Sequence, residues 1–219
     1  ISVVMPGLVD PDSGVVEYMP NINIQQLALA DTLRDEFGVQ TFVGNDIRGQ
    51  ALAEHYFGAS QAYYDSMLVS VHHGTGAGII VNGQIFLGHN RNVGELGHVQ
   101  IDPLGKKCQC GNFGCLETVA SNEAIIEHAQ QLLAQGHPSS LSYDQSLTIE
   151  AICQAAEQGD ELARQVLVKV GNHLGKAIAM TVNLFNPQLV VIAGKITAAK
   201  SVVFPAIERC VENQSLPSF

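Results

Sequence analysis

The segment Gly94–Glu117, "GELGHVQIDPLGKKCQCGNFGCLE", holds three of the chain's five cysteines, one histidine and two glutamates. Its spacing is His98-x9-Cys108-x-Cys110-x4-Cys115. Structural zinc takes four tetrahedral ligands, and three thiolates with one imidazole are a standard set. Pro103, Gly105, Gly111 and Gly114 let a backbone wrap closely around an ion. A redox reading is weaker, because no Cys-x-x-Cys is present. A loop with three unliganded thiols is the bland alternative, and the clustering of the thiols argues against it. The spacing therefore predicts one structural zinc held by His98, Cys108, Cys110 and Cys115.

The surrounding chain reads as α/β. Ile1–Met5, Val15–Tyr18, Val39–Gly44, Met67–Val71, Gly78–Val81, Gln84–Leu87 and Leu189–Ala193 read as strands. Asn82-Gly83 is a two-residue hairpin signal between two of them. Leu27, Ala30, Leu33 and Phe37 recur at helical spacing, closed by Gly38. Asn45 or Asp46 caps a helix over "IRGQALAEHYF", which Gly58 ends. Helices are expected near Asn122–Gln135 and Ile149–Gln158. A longer one, capped by Asp160 and stopped by Pro187, carries Leu162, Val166, Val170, Leu174, Ile178 and Val182 every four residues.

Composition sets limits. With 219 residues, 46% hydrophobic and 15% charged, the chain is long and apolar enough for a core. A formal charge of −10 repels phosphate backbones, so nucleic acid is not expected to be gripped by this stretch. Five cysteines, an odd number, make a poor disulfide framework and point to a reducing, cytoplasmic compartment. Cys153 and Cys210 read as small buried hydrophobes. The first residue is Ile1, within a run that already looks like a central strand, and further sequence is expected upstream.

The stretch "GELGHVQIDPLGKKCQCGNFGCLETVAS" resembles the signature of the ROK family of repressors and sugar kinases. The similarity extends through "MPGLVD", "VGNDIRGQALAEHYFGA", "GAGIIVNGQI" and "VNLFNPQLVVIAG", and so covers nearly the whole chain. It implies an actin-like ATPase (ribonuclease H-like) two-lobed fold, seen as a fragment. Residues 1–45 would end the N-terminal lobe, and 46–219 would form the C-terminal lobe with the zinc loop 98–115. The resemblance also implies roles. His98, Cys108, Cys110 and Cys115 match the family's zinc ligands. Asn45 and Asp46 match a pair that contacts sugar hydroxyls, and Asp46 stands where the kinases have their base. Glu95, His98 and Glu117 match further sugar contacts.

Within the family, the kinases carry "GTGxGGG" ahead of a hairpin strand. Counted back from Asn82-Gly83, this chain reads His72-His73-Gly74-Thr75-Gly76-Ala77-Gly78, with histidines where Gly-Thr should lead; an alternative register reads Gly-Thr-Gly-Ala-Gly from Gly74 but is two residues short. After the last strand it has Ala193-Gly194-Lys195 instead of a glycine pair. Altered nucleotide loops beside intact sugar residues favour a sensor over an enzyme, with a hexose kinase as the alternative. A purely protein-binding role is also conceivable, but no feature singles out a surface for it. By resemblance the effector is N-acetylglucosamine 6-phosphate. Operator DNA would be bound through an upstream helix-turn-helix, in a homodimer or homotetramer without membrane insertion. Arg48 and His73, with His72, are candidate phosphate contacts. Equally, Arg48 could be a solvated helix residue and the histidines packing substitutes.

Overall fold

The computed structural model describes residues 1–19, 22–143 and 146–217. By internal packing the chain divides into two compact units. The first comprises 1–68, 77–95 and 188–191, and the second 69–76, 96–187 and 192–219. These units cut the chain differently from the lobe division 1–45 and 46–219 that the resemblance implies: residues 46–68 pack with the first unit.

In the first unit β1 (Ser2–Met5) pairs in parallel with β5 (Phe42–Asn45). An antiparallel meander follows β1: β2 (Leu8–Asp10), β3 (Val15–Met19) and β4 (Ile24–Leu27). Helix α1 (Leu29–Phe37) ends on Gly38, whose φ of +65° is the left-handed closure expected from the sequence. Leu27 is not part of that helix, as its spacing suggested. It ends β4 opposite Val16, its ladder partner in the meander. Val9, Ala30 and Val43 form the core here, flanked by Val3, Met5 and Leu29. Helix α2 (Asp46–Phe57) packs closely on the following strand region, and a Cβ on Gly78 would lie 2.4 Å from that of Ala51.

A four-stranded sheet has the order β8-β7-β6-β9, formed by β6 (Ser66–Val71), β7 (Thr75–Val81), β8 (Gln84–Ile85) and β9 (Leu189–Ala193). Every residue of β6 is buried, Ser66 and Ser70 included. Asn82 and Gly83 both have positive φ, as the β7–β8 hairpin requires.

The second unit is mostly helical: α3 (Glu117–Ala120), α4 (Asn122–Ala134), α5 (Ile149–Glu157), α6 (Glu161–Phe185) and α7 (Lys200–Gln214). Ser121, Thr148 and Asp160 cap α4, α5 and α6 by accepting backbone N–H bonds. The expected register of α6 holds, with Leu162, Val166, Val170, Leu174, Ile178 and Val182 all buried. Asn186 closes it in a left-handed turn, one residue before Pro187. Cys153 is buried, whereas Cys210 is only half-buried and lies 3.6 Å from Asn172 Oδ1.

Helices α6 and α7 meet along glycines. A Cβ on Gly171 would fall 2.9 Å from the Val203 carbonyl oxygen, and one on Gly175 would fall 2.8 Å from that of Ile207 and 2.5 Å from Cys210 Cβ. No side chain fits between such backbones without a shift. Gly175→Val is therefore expected to destabilise the protein by about 1–3 kcal/mol through overpacking. Urea denaturation of wild type and variant measures this, and an unchanged midpoint would refute it.

Candidate metal centre and the residues around it

One ligand atom each from His98, Cys108, Cys110 and Cys115 converges, and these atoms all lie within 4.8 Å of one another. Cys108 Sγ is 3.6 Å from His98 Nδ1, and Cys110 Sγ is 3.6 Å from Cys115 Sγ. A tetrahedron with Zn–S near 2.3 Å and Zn–N near 2.0 Å has edges of roughly 3.6–3.8 Å. The donor set and spacing thus fit a four-coordinate, thiolate-preferring divalent ion. His98 turns Nδ1 toward the sulfurs, so Nε2 is the nitrogen directed away from the cluster.

The loop that builds the cluster is closed by its backbone. Gly114 has φ of +65°, and a Cβ there would sit 1.5 Å from the Asp102 carbonyl oxygen. Its own carbonyl accepts from Ile101 and Asp102, and its N–H donates to Lys106. Cys108 N–H donates to the Asn112 carbonyl at 2.7 Å, and Gly111 N–H returns to the Cys108 carbonyl at 3.0 Å. His98 ends a single 3-10 turn, Leu96–His98.

The thiols differ. Burial, reinforced by the neighbouring sulfurs, pushes Cys115 up to about 12. Burial also raises Cys108. Cys110 is exposed and lowered, chiefly by the backbone N–H of Asn112. Crowded, partly buried thiolates need a compensating cation, which a divalent ion supplies.

Glu117 begins α3 directly beyond Cys115 and Leu116. Its Oε2 accepts from Thr75 N–H at 3.4 Å, and a Cβ on Gly74 would lie 2.8 Å from that oxygen. The second unit therefore holds the cluster, Glu117 and the turn before β7. In that turn His72 N–H donates to the Gly74 carbonyl, and His72 carbonyl accepts from Asn122. His73 is 84% exposed and pairs through Nδ1 with Glu123. Neither histidine is buried, so they are not packing substitutes.

The first unit holds Asn45, Asp46, Arg48 and Glu95. Asn45 caps α2: Oδ1 accepts from Arg48 N–H at 3.0 Å, while Nδ2 donates to the Gly7 carbonyl at 3.1 Å. Asp46 is half-buried and uses Oδ1 to accept from Ile47 N–H. Arg48 is 7% exposed, which rules out the solvated alternative. Burial lowers its pKa and the Glu95 carboxylate partly offsets this. Glu95 itself is exposed, and the preceding Gly94 (φ +106°) is fixed to β7 by the Ala77 N–H bond to its carbonyl at 2.7 Å. The burial of Arg48 and its coupling to Glu95 were not foreseen from sequence, because a polar helix residue reads as solvent-facing by default.

The model of the ROK family matches residues 1–218. The chain belongs to the ROK family. It is 58% identical over its full length to the DNA-binding transcriptional dual regulator NagC of Escherichia coli K12, covering 54% of that protein. A glucokinase of Thermotoga maritima is 32% identical, with the whole chain aligned to 71% of the enzyme. Among solved structures, a ROK family transcriptional regulator described as a homologue of the E. coli Mlc protein superposes with a TM-score of 0.94 at 48% identity. That match covers 99% of this chain and 55% of the other. The chain thus spans about half the length of the regulators it matches, and the actin-like α/β fold expected from sequence is its fold.

Cys110→Ser removes one of four donors and is expected to release bound metal and lower Tm, since ligation energy is folding energy. Elemental analysis after gel filtration and a thermal melt check it. Metal content equal to wild type would remove Cys110 from the ligand set.

Proposed function

We propose that this chain is the effector-sensing, zinc-binding part of a ROK-family transcriptional repressor. The effector is N-acetylglucosamine 6-phosphate, and the genes controlled are those of amino-sugar uptake and catabolism. Identity of 58% along the entire chain to a transcriptional regulator carries the reading. Operator DNA would be held by a helix-turn-helix outside this sequence, consistent with the charge of −10 here. The assembly would be a cytoplasmic homodimer or homotetramer. Among the described residues no helix is long and apolar enough to cross a membrane.

A sugar presents a ring of hydroxyl donors, and carboxylates accept from them in fixed directions. Asp46, Glu95 and Glu117 supply the carboxylates, and Asn45 precedes Asp46 at the start of α2. His98 would hold the zinc with Nδ1 and offer Nε2 to a hydroxyl. One structural zinc per chain, on His98, Cys108, Cys110 and Cys115, would fix that imidazole and the loop leading to Glu117. Arg48 and His73 are the residues proposed to favour the phosphorylated sugar. Arg48 lies in the first turn of α2, where the positive end of the helix dipole also favours anions. Effector binding would weaken operator binding through linkage between the two sites.

Glu95→Ala and Glu117→Ala are each expected to weaken N-acetylglucosamine 6-phosphate binding by about 1–3 kcal/mol while leaving zinc in place. In the same series Arg48→Ala and His73→Ala should narrow the preference for the 6-phosphate over the free sugar. Calorimetry on the full-length protein measures both effects. Unaltered affinity in both glutamate variants would refute the assigned sugar contacts.

A kinase is the second reading, favoured by the glucokinase relative and by Asp46 at the head of α2. Against it stand His72-His73 at the phosphate-loop position and Ala193-Gly194-Lys195 after β9. Gly194 has a local reason to be glycine: a Cβ would lie 2.1 Å from the Val71 carbonyl. The repressor reading expects no sugar-dependent ATP turnover above background. A coupled assay with N-acetylglucosamine and glucose tests it, and robust phosphorylation of either would overturn it.

A further inference from the structure

A cavity of about 270 Å³ opens in the second unit between the metal loop and helices α3, α4 and α6. Asp102 and Lys106 of the loop, Thr118 of α3, His128 of α4, and Lys169 and His173 of α6 line it. None of the residues assigned above to the effector or the metal does so.

Its charge is unusual for this chain. The whole sequence carries 11 Lys and Arg against 21 Asp and Glu, yet two lysines and two imidazoles meet at one cavity whose single lining carboxylate is Asp102. Lys106 is partly neutralised by Glu127 at 2.5 Å. Lys169 has no ion pair among the described residues. Asp102 Oδ1 is engaged by the Leu104 N–H at 3.1 Å. His173 lines the cavity while its Nδ1 is buried with no hydrogen-bond partner among the described residues. A buried N–H without an acceptor is costly, so the neutral ring carries its hydrogen on Nε2.

We propose that this cavity is a second ligand site that binds a small oxyanion of the phosphate or phosphate-ester class. Lys169 and Lys106 supply ammonium donors, His128 and His173 supply imidazole donors, and Thr118 supplies a hydroxyl. Charge-assisted bonds of this kind are the strong ones. The site draws on four separate elements, and Lys106 lies two residues before the Cys108 ligand. Occupancy therefore ties the metal loop to α6.

The imidazoles give the site a pH signature. Burial holds both below the usual histidine value, with Lys169 and Lys106 adding to this at His128, and Lys176, Lys169 and the neighbouring His128 at His173. Asp102 acts in the opposite sense on His173, as Gln131 and Glu127 do on His128. Both rings are thus mainly uncharged at neutral pH. A bound dianion favours their charged forms, so binding takes up protons and strengthens as pH falls.

The test uses the full-length protein and imidazole NMR at constant ionic strength. Sulfate, a dianion that does not titrate here, should give saturable shifts at His128 and His173 that tighten from about pH 8 to about pH 6. Inorganic phosphate and glycerol phosphate should also saturate, and the tighter of the two identifies free ion or ester as the ligand type. Lys169→Gln, at an exposed side chain, should weaken each roughly tenfold with zinc content unchanged. Shifts that are linear and equal to those with chloride, or equal affinity in Lys169→Gln, would overturn the site.

Discussion

The convergence of three sulfurs and one imidazole nitrogen within 4.8 Å is the constraint on which the candidate site depends. The loop between His98 and Cys115 has little apolar substance. Leu104 is 97% exposed, Phe113 is 54% exposed, and Lys106, Lys107, Gln109 and Asn112 face solvent. Burial cannot hold such a segment in place. Backbone bonds centred on Gly114 and the sulfur cluster do so, and Glu117 inherits its position two residues beyond the last ligand. His98 belongs to both the cluster and the proposed sugar contacts. Structure and recognition therefore cannot be separated at that residue.

The first unit solves a similar problem without a metal. Asn45 spends its acceptor on the α2 cap and its donor on the Gly7 carbonyl, so one side chain locks β5, α2 and the turn after β1. A cap of this kind contributes about 1 kcal/mol. Its larger effect is to fix where Asp46 starts the helix. Arg48 then carries a charge into a buried position, and a buried charge demands compensation. Glu95 supplies it, from a strand-following loop held by Gly94 against Ala77.

Much of this was legible in the sequence, for reasons that can be named. The cysteine spacing specified the cluster because metal geometry leaves few alternatives. Gly38, Asp160 and Asn82-Gly83 marked element boundaries because each position needs a special backbone or a cap. Leu27 misled because apolar residues at helical spacing do not exclude a strand end, and its ladder partner Val16 places it in β4. Strand β5 begins at Phe42 rather than Val39, and β7 begins at Thr75 rather than Gly78, since the ladder partner sets a strand's ends. Helix α7 gave no clear signal, with Pro205 inside it and polar residues interrupting its apolar face. The cationic cavity was illegible because Lys106, His128 and Lys169 are distant in sequence and share no spacing rule.

Helix α6 packs against α3, α4, α5 and α7, with both glycines of its α7-facing stripe in close backbone approach. A segment so placed has no partial opening available: freeing any one neighbour exposes the others' apolar faces. Its central amides, from Val166 to Ile178, should therefore exchange with solvent deuterium only when the whole unit unfolds. The metal loop, held by few apolar contacts, belongs to the opposite end of that scale. Local breathing of the metal loop, which carries part of the proposed sensing site, thus takes place against a helical frame that opens all at once or not at all.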